Sequence, residues 1–299
     1  MSILATIRLK LLIIWINILR ICLPYSRANN IAARSVHYIH PAPVKQKPLY
    51  YKGLKLRLQK DKDIFAAWER HLALIGVQRF QSTFYAGNSI SWIHQCHVDI
   101  EGKEHLEKAC QQGKGVLAMT YHHHFNMLFC NLLATLGHPV TTIAMDDRGS
   151  KRYQKFSKRV NRIYKNAEKL LNGGDIILVK PKKQVRPILR AFEKNHLVIT
   201  ANDFPTLFDD KNRKDFPFMG ATLSCPTGTV KLAAKKQIPI VACYLNWAGG
   251  NSFRLVIKPV SDGNKSVTMK TAMKCYLKIL EELITEDPGL WEGWKWLSP

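Results

Sequence analysis

Apolar residues run almost unbroken from Leu11 to Leu23, interrupted only by Asn17 and Arg20, and give way after Pro24 to a polar stretch. The run is shorter than the roughly 20 apolar residues that a membrane-spanning helix needs. Arg8, Lys10, Asn17 and Arg20 cluster only loosely on a helical wheel. Residues 1–24 therefore read as a membrane-associated helix that lies in the interface or enters it at a tilt, with its basic residues at the headgroups. A segment so apolar around its circumference also suits a helix packed on its own domain. Asn17 and Arg20 inside the run, and the lack of an A-x-A site, argue against a cleaved signal peptide.

Residues 25–60 form a basic connector, and the prolines and glycine of "HPAPVKQKPLYYKG" predict little regular structure there. From residue 61 onward, Ile64, Trp68 and Leu72 fall at helical spacing, and an alternating run near Val98 predicts a first strand. The pattern then repeats. "HLEKACQQGK" reads as a helix, "GVLAMTYH" as a buried strand, "FNMLFCNLLATLG" as an apolar helix and "PVTTIAM" as a strand. "DIILV" and "HLVITAN" are further strands around the helix "VRPILRAFEKN", and "GTVKLAAKKQ" precedes the strand "IPIVACYLNW". Such alternation predicts an α/β fold for residues 61–299, a mixed, mostly parallel sheet flanked by helices.

Charge changes the picture. The chain carries 45 Lys and Arg against 22 Asp and Glu, and no acid precedes Asp61. The N-terminal fifth is therefore drawn to something anionic, and charge alone does not choose between lipid headgroups, nucleic acid and an acidic protein. In "RGSKRYQKFSKRVNRIYKNAEK" the apolar Tyr153, Phe156, Val160, Ile163 and Tyr164 share a helical face, and basic residues fill the rest. With almost no acid to pair with them, these charges favour a docking face for anionic lipid or an acidic carrier protein over a merely solvated face. The seven cysteines are scattered without a C-x-x-C pair, as in a reduced, cytoplasm-facing protein.

His122, His123 and His124 stand where a buried strand ends and a helix begins, the rim of a sheet on which α/β proteins place reacting groups. Alternation along extended chain sends His122 and His124 one way and His123 the other. A lone histidine here would more often be structural. Three at one junction favour a general base, because neutral imidazole accepts protons near pH 7. Adjacent histidines converge poorly on a metal, and no carboxylate or cysteine stands at fixed spacing to complete a site with His94 or His97, so no metal is expected. P-loop, G-x-G-x-x-G and G-x-S-x-G patterns are absent, which leaves nucleotide hydrolysis and serine-hydrolase chemistry without support.

The order of "HHHFNML", "LVKPKKQVRPILRAFEKNHLVITANDF", "FPFMGATLSCPTGTVKLAAKKQIPIVACYLNW" and "EELITEDPGLWEGWKW" resembles the lipid A late acyltransferases, of lauroyl or myristoyl type, in the lysophospholipid acyltransferase superfamily. The resemblance spans roughly residues 60 to 299. It implies a glycerol-3-phosphate acyltransferase-like fold and transfer of a fatty acyl group from an acyl carrier protein or coenzyme A thioester to a lipid or other hydroxyl or amine acceptor. It implies the cytoplasmic face of the inner membrane as location, and no cofactor beyond the thioester co-substrate. The family's base histidine falls on His124, followed by the matching Phe125 and Leu128. Its strand-ending aspartate falls on Asp203, its "FFG" segment on Phe218, Met219 and Gly220, and its helix start on Thr227 and Gly228. Leu232, Ala233 and Pro239 match the helix and strand that follow, Pro288, Trp291 and Trp294 match the tail, and Lys169 is nearest to a family arginine.

One position departs from that pattern: the family's acid, five residues after the base histidine, is Phe129. In the usual mechanism this acid orients the imidazole and stabilises the imidazolium. Asp203, Asp146 or Asp147 approaching His124 would replace it, as would His122 or His123 orienting its neighbour. The third explanation is a site that acylates a better nucleophile, such as an amine, or only binds acyl chains. Phe125, Met127 and Phe129, with Leu132 and Leu133, are candidate walls of an acyl slot. Lys182, with Lys180 and Lys183, is a candidate phosphate contact, and Gly220, Thr227 and Lys169 complete the substrate candidates.

Acyl transfer is thus the leading expectation. The alternatives are a non-catalytic acyl or lipid binder, motivated by Phe129, and a basic nucleic-acid-binding protein. The last lacks RNP-like aromatics and zinc-finger spacing, so no nucleic acid is expected as a partner.

Overall fold

The computed structural model describes residues 3–39, 41–58, 60–87, 91–145, 151–179, 185–203, 213–264 and 266–297. Four helices come first: α1 (Ile3–Cys22), α2 (Tyr25–Ile39), α3 (Pro41–Leu54) and α4 (Asp61–Ala86). The alternating part follows as β1 (His97–Glu101), α5 (Lys103–Cys110), β2 (Val116–Thr120), α6 (Asn126–Ala134), β3 (Val140–Met145), α7 (Lys151–Glu168), β4 (Ile176–Val179), α8 (Val185–Glu193) and β5 (Leu197–Ala201). A hairpin, β6 (Arg213–Phe218) and β7 (Ala221–Pro226), leads through α9 (Gly228–Lys236) to β8 (Ile240–Gly249), β9 (Ser252–Ser261) and α10 (Met269–Glu286).

Seven strands form one sheet in the order β1-β9-β8-β2-β5-β3-β4, with every pair parallel except β8 and β9. This is the mixed, mostly parallel sheet that the alternation predicts. The central β2 is buried at every position, as a strand covered on both faces must be. β2 leads through α6 to β3, beyond β5, whereas β5 leads through the hairpin and α9 to β8, on the other side of β2. The chain diverges at the C-terminal ends of β2 and β5, the switch point where open α/β sheets place their sites.

The N-terminal sixty residues differ from the expected irregular connector. Residues 25–54 are almost wholly helical, and they are woven into the domain. Pro41 opens α3, where no intrahelical N–H is needed, whereas Pro48 lies inside the helix. Tyr25 packs among Phe80, Phe84 and Trp92. Asn29 Nδ2 donates to Gly250 O at 2.8 Å, and Gly250 N donates to Asn30 Oδ1 at 2.8 Å. Helix α2 crosses α4 at Gly76, where a Cβ would lie 2.2 Å from Ala32 O.

Helix α1 packs Ile16 and Leu19 inward. Leu11, Ile14, Trp15, Ile18 and Ile21 form its opposite face and stay exposed, Ile21 by 76%. Among the described residues, no helix is long and apolar enough to cross a membrane.

Candidate functional site

The β2–β5 register builds the site. Thr120 lies opposite Ala201, so the residues two further along each strand, His122 and Asp203, meet just beyond the sheet edge. The His122 backbone N–H points at both Asp203 oxygens, at 2.9 and 3.0 Å, and His122 Nδ1 lies 2.8 Å from Oδ1. Trp291 Nε1 donates to Oδ2 at 2.7 Å. A carboxylate can only accept, so these contacts assign the imidazole proton to Nδ1 and leave the ring's basic lone pair on Nε2.

Burial differs sharply within this constellation. Asp203 and Trp291 are fully buried, whereas the His122 side chain keeps 30% of its surface exposed. Trp291 is held by Phe218 from the hairpin and by Trp294, with ring centroids at 5.1 and 5.2 Å. The edge of the hairpin and the C-terminal tail thus fix the indole that fixes the carboxylate.

His123 and His124 are organised otherwise. His123 Nδ1 accepts the Phe125 backbone N–H at 3.0 Å, so it stabilises the turn into α6, and burial pushes its pKa down to about 3. His124 Nε2 lies 3.1 Å from Nδ1 of His71, a residue of α4. Burial above all lowers His124 to about 4, with Lys295, Arg79 and Arg70 acting in the same direction against the opposing pull of Glu292. His71 is lowered well below the ordinary imidazole value by the same burial and by its neighbour His124, and it stacks on Tyr50 at 4.4 Å. Both rings of this pair are neutral near pH 7, and one proton lies between them.

Asp203, one of the acids that are candidates to approach His124, meets His122, and His124 pairs with a histidine. Phe129 is buried in α6 with its ring edge-on to His123 at 5.2 Å. Asp146 and Asp147 lie outside the described residues, as do Lys180, Lys182 and Lys183.

A cavity of about 440 Å³ opens beside these groups, with His122 and His124 in its lining. Phe125, Met127 and Phe129 contribute to its wall, as expected, and Ile143, Val160, Ile163 and Ile199 make the far side apolar. Its volume falls in the range of small-molecule sites. Tyr85 donates to Asn131 Oδ1 at 2.7 Å and Asn131 donates to Ala167 O at 2.9 Å, a satisfied polar tie across the cavity that joins α4, α6 and α7.

Three further candidates lie elsewhere. Gly220 occupies the tip of the β6–β7 hairpin, where it and Met219 take positive φ of 73° and 53°. Thr227 is buried at the start of α9. Lys169 lines a separate cavity on the far side of α7. Among the described residues, no group of three or more His, Cys, Asp or Glu side chains is placed to hold a metal.

His71 carried no signal in the sequence, since a single histidine on a helix 53 residues away is indistinguishable from any half-buried one. Trp291 was visible only as part of a tail pattern, without a role.

The sequence model of the family described as bacterial lipid A biosynthesis acyltransferase matches residues 88–299. No curated protein matches the chain.

Proposed function

From the chain's membership of the bacterial lipid A biosynthesis acyltransferase family, we propose that it transfers a fatty acyl group from an acyl carrier protein or coenzyme A thioester to a hydroxyl or amine of a membrane-lipid acceptor, with His122 as general base. The observation that carries this reading is the 2.8 Å contact of His122 Nδ1 with Asp203 at the mouth of a largely apolar cavity. The acyl chain occupies that cavity. His122 Nε2 takes the proton of the acceptor as its oxygen or nitrogen attacks the thioester carbonyl, and Asp203 stabilises the imidazolium. The tetrahedral intermediate then expels the thiolate, which takes the proton from His122, so the products are an acylated acceptor and a free thiol.

Burial speaks against His124 as the base. A group lowered to about 4 is neutral at pH 7 but a weak proton acceptor, and its Nε2 is engaged by His71. His122 keeps solvent access and an acidic partner, as a base must.

Helix α1 anchors the protein to the inner membrane, with the site facing the cytoplasm. Its exposed Leu11, Ile14, Trp15, Ile18 and Ile21 form an apolar face suited to lying in the interface plane.

The test is mass spectrometry of lipids acylated by membranes that contain the protein. The expected outcome is an acylated species that depends on His122 and Asp203 and survives His124→Gln. Saturable binding of the thioester without turnover would instead identify an acyl-binding protein on this fold.

A further inference from the structure

We propose that a second cavity, on the face of α7 turned away from the histidines, binds the phosphate of an anionic membrane lipid. Helix α7 separates two surfaces. Val160, Ile163, Tyr164 and Ala167 face the acyl cavity, whereas Arg162, Lys165 and Lys169, spaced three and four residues apart, line another cavity of about 450 Å³ with Asn161, Asn166 and Gly87. Among the described residues, no acid contributes to that lining. Among the described residues, none of the three cations forms an ion pair.

The wall is built rather than loose. Asn166 Nδ2 donates to Tyr85 O at 2.6 Å and Arg162 Nη1 donates to Ala86 O at 3.3 Å, which together clamp α7 to the last turn of α4. A Cβ on Gly87 would lie 2.3 Å from Nη1 of Arg20, so this glycine lets a fourth cation rest against the cavity wall. Arg20 belongs to the last turn of α1, and its neighbour Ile21 is the most exposed apolar side chain among those described for that helix.

Uncompensated positive charge therefore gathers at the end of a helix that offers bare hydrocarbon to its surroundings. An anionic lipid carries both complements. Its phosphate oxygens accept charge-assisted hydrogen bonds from Arg162, Lys165 and Lys169, and its membrane receives the apolar face of α1. An acidic carrier protein would instead lay carboxylates along the whole convex basic helix, including Lys158, and would have no use for a concavity. The proposal shares the membrane reading of α1 but does not depend on acyl transfer, so its test reads binding alone.

The full chain is floated with vesicles of phosphatidylcholine, with and without phosphatidylglycerol, and titrated with soluble short-chain phosphatidylglycerol and with inorganic phosphate. Neutral vesicles report insertion of α1 by itself. The triple variant Arg162→Gln/Lys165→Gln/Lys169→Gln is compared with Lys231→Gln/Lys235→Gln/Lys236→Gln, which removes the same charge from α9. The single variant Lys165→Gln, at an exposed position, guards against loss of fold. The α7 triple variant is expected to lose about a hundredfold of the phosphatidylglycerol-dependent affinity, together with binding of the short-chain lipid, and Lys165→Gln a smaller share of both. The α9 control is expected to keep both.

Equal losses in the two triple variants would overturn the proposal in favour of diffuse charge. So would inorganic phosphate that competes as well as the lipid, or loss of binding to an acidic carrier protein with vesicle binding intact.

Discussion

Asp203 accepts the Nδ1 proton of His122 across 2.8 Å, although 81 residues separate them. The same carboxylate receives the His122 backbone N–H and the Trp291 indole. An amide at this position has one acceptor oxygen, and its NH₂ would face one of those donors. Asp203→Asn is therefore expected to lower acyl transfer steeply, by up to about 10⁴, the loss known for the orienting acid of a serine protease. His122→Ala should reduce transfer at least as far. Turnover measured on protein of verified fold checks both.

Trp291→Phe keeps the ring contacts with Phe218 and Trp294 and deletes only the N–H. The buried Oδ2 then keeps only its share of the His122 backbone N–H, and losing the stronger donor is expected to cost about 1–3 kcal/mol of stability. Turnover should fall roughly tenfold, with the thioester KM little changed. Urea unfolding and steady-state kinetics on the same preparation separate the two effects.

Phe129→Glu restores the residue type of the family's acid but is not expected to restore an orienting pair. The side chain at this position meets His123, and a carboxylate there enters a fully buried site. A loss of about 3 kcal/mol or more in stability is expected, without a gain in transfer. Thermal unfolding of the variant, read with its turnover, decides this.

His71, His123 and His124 all have folded pKa values depressed below the unfolded value near 6.5. Between pH 6.5 and about 4 the unfolded chain therefore binds more protons, and stability falls as the pH falls through that window. His124 alone accounts for roughly 3 kcal/mol across it. Urea unfolding at pH 7 and pH 5 should show the loss, and the double variant His71→Phe/His124→Phe should reduce it to the share of His123.

Replacing Ile14, Ile18 and Ile21 with Ser removes apolar surface that the fold leaves exposed. Vesicle partitioning is expected to drop at least tenfold, by the interfacial burial lost, with thermal unfolding unchanged. Unchanged partitioning would remove α1 as the anchor.

The alternation of apolar strands and amphipathic helices, with Gly and Pro between them, determined most of the sheet and its mixed, mostly parallel class, because both periodicities are local properties of the chain. The same patterning put His122, His123 and His124 at a strand end and gave α7 one apolar and one basic face. Residues 25–54 misled, since prolines near a helix start look identical in sequence to prolines in a loop, and only packing on α4 and Gly250 makes the difference. The division of labour among the three histidines was also out of reach. Which one acquires the acid follows from the register of β2 against β5, which sets Thr120 opposite Ala201 and so His122 opposite Asp203. Which one is desolvated and paired with another histidine follows from α4, which brings His71 to His124. Pairing register and burial are long-range outcomes, fixed by what packs on a segment rather than by its own residues, and for that reason the tertiary structure alone decided them.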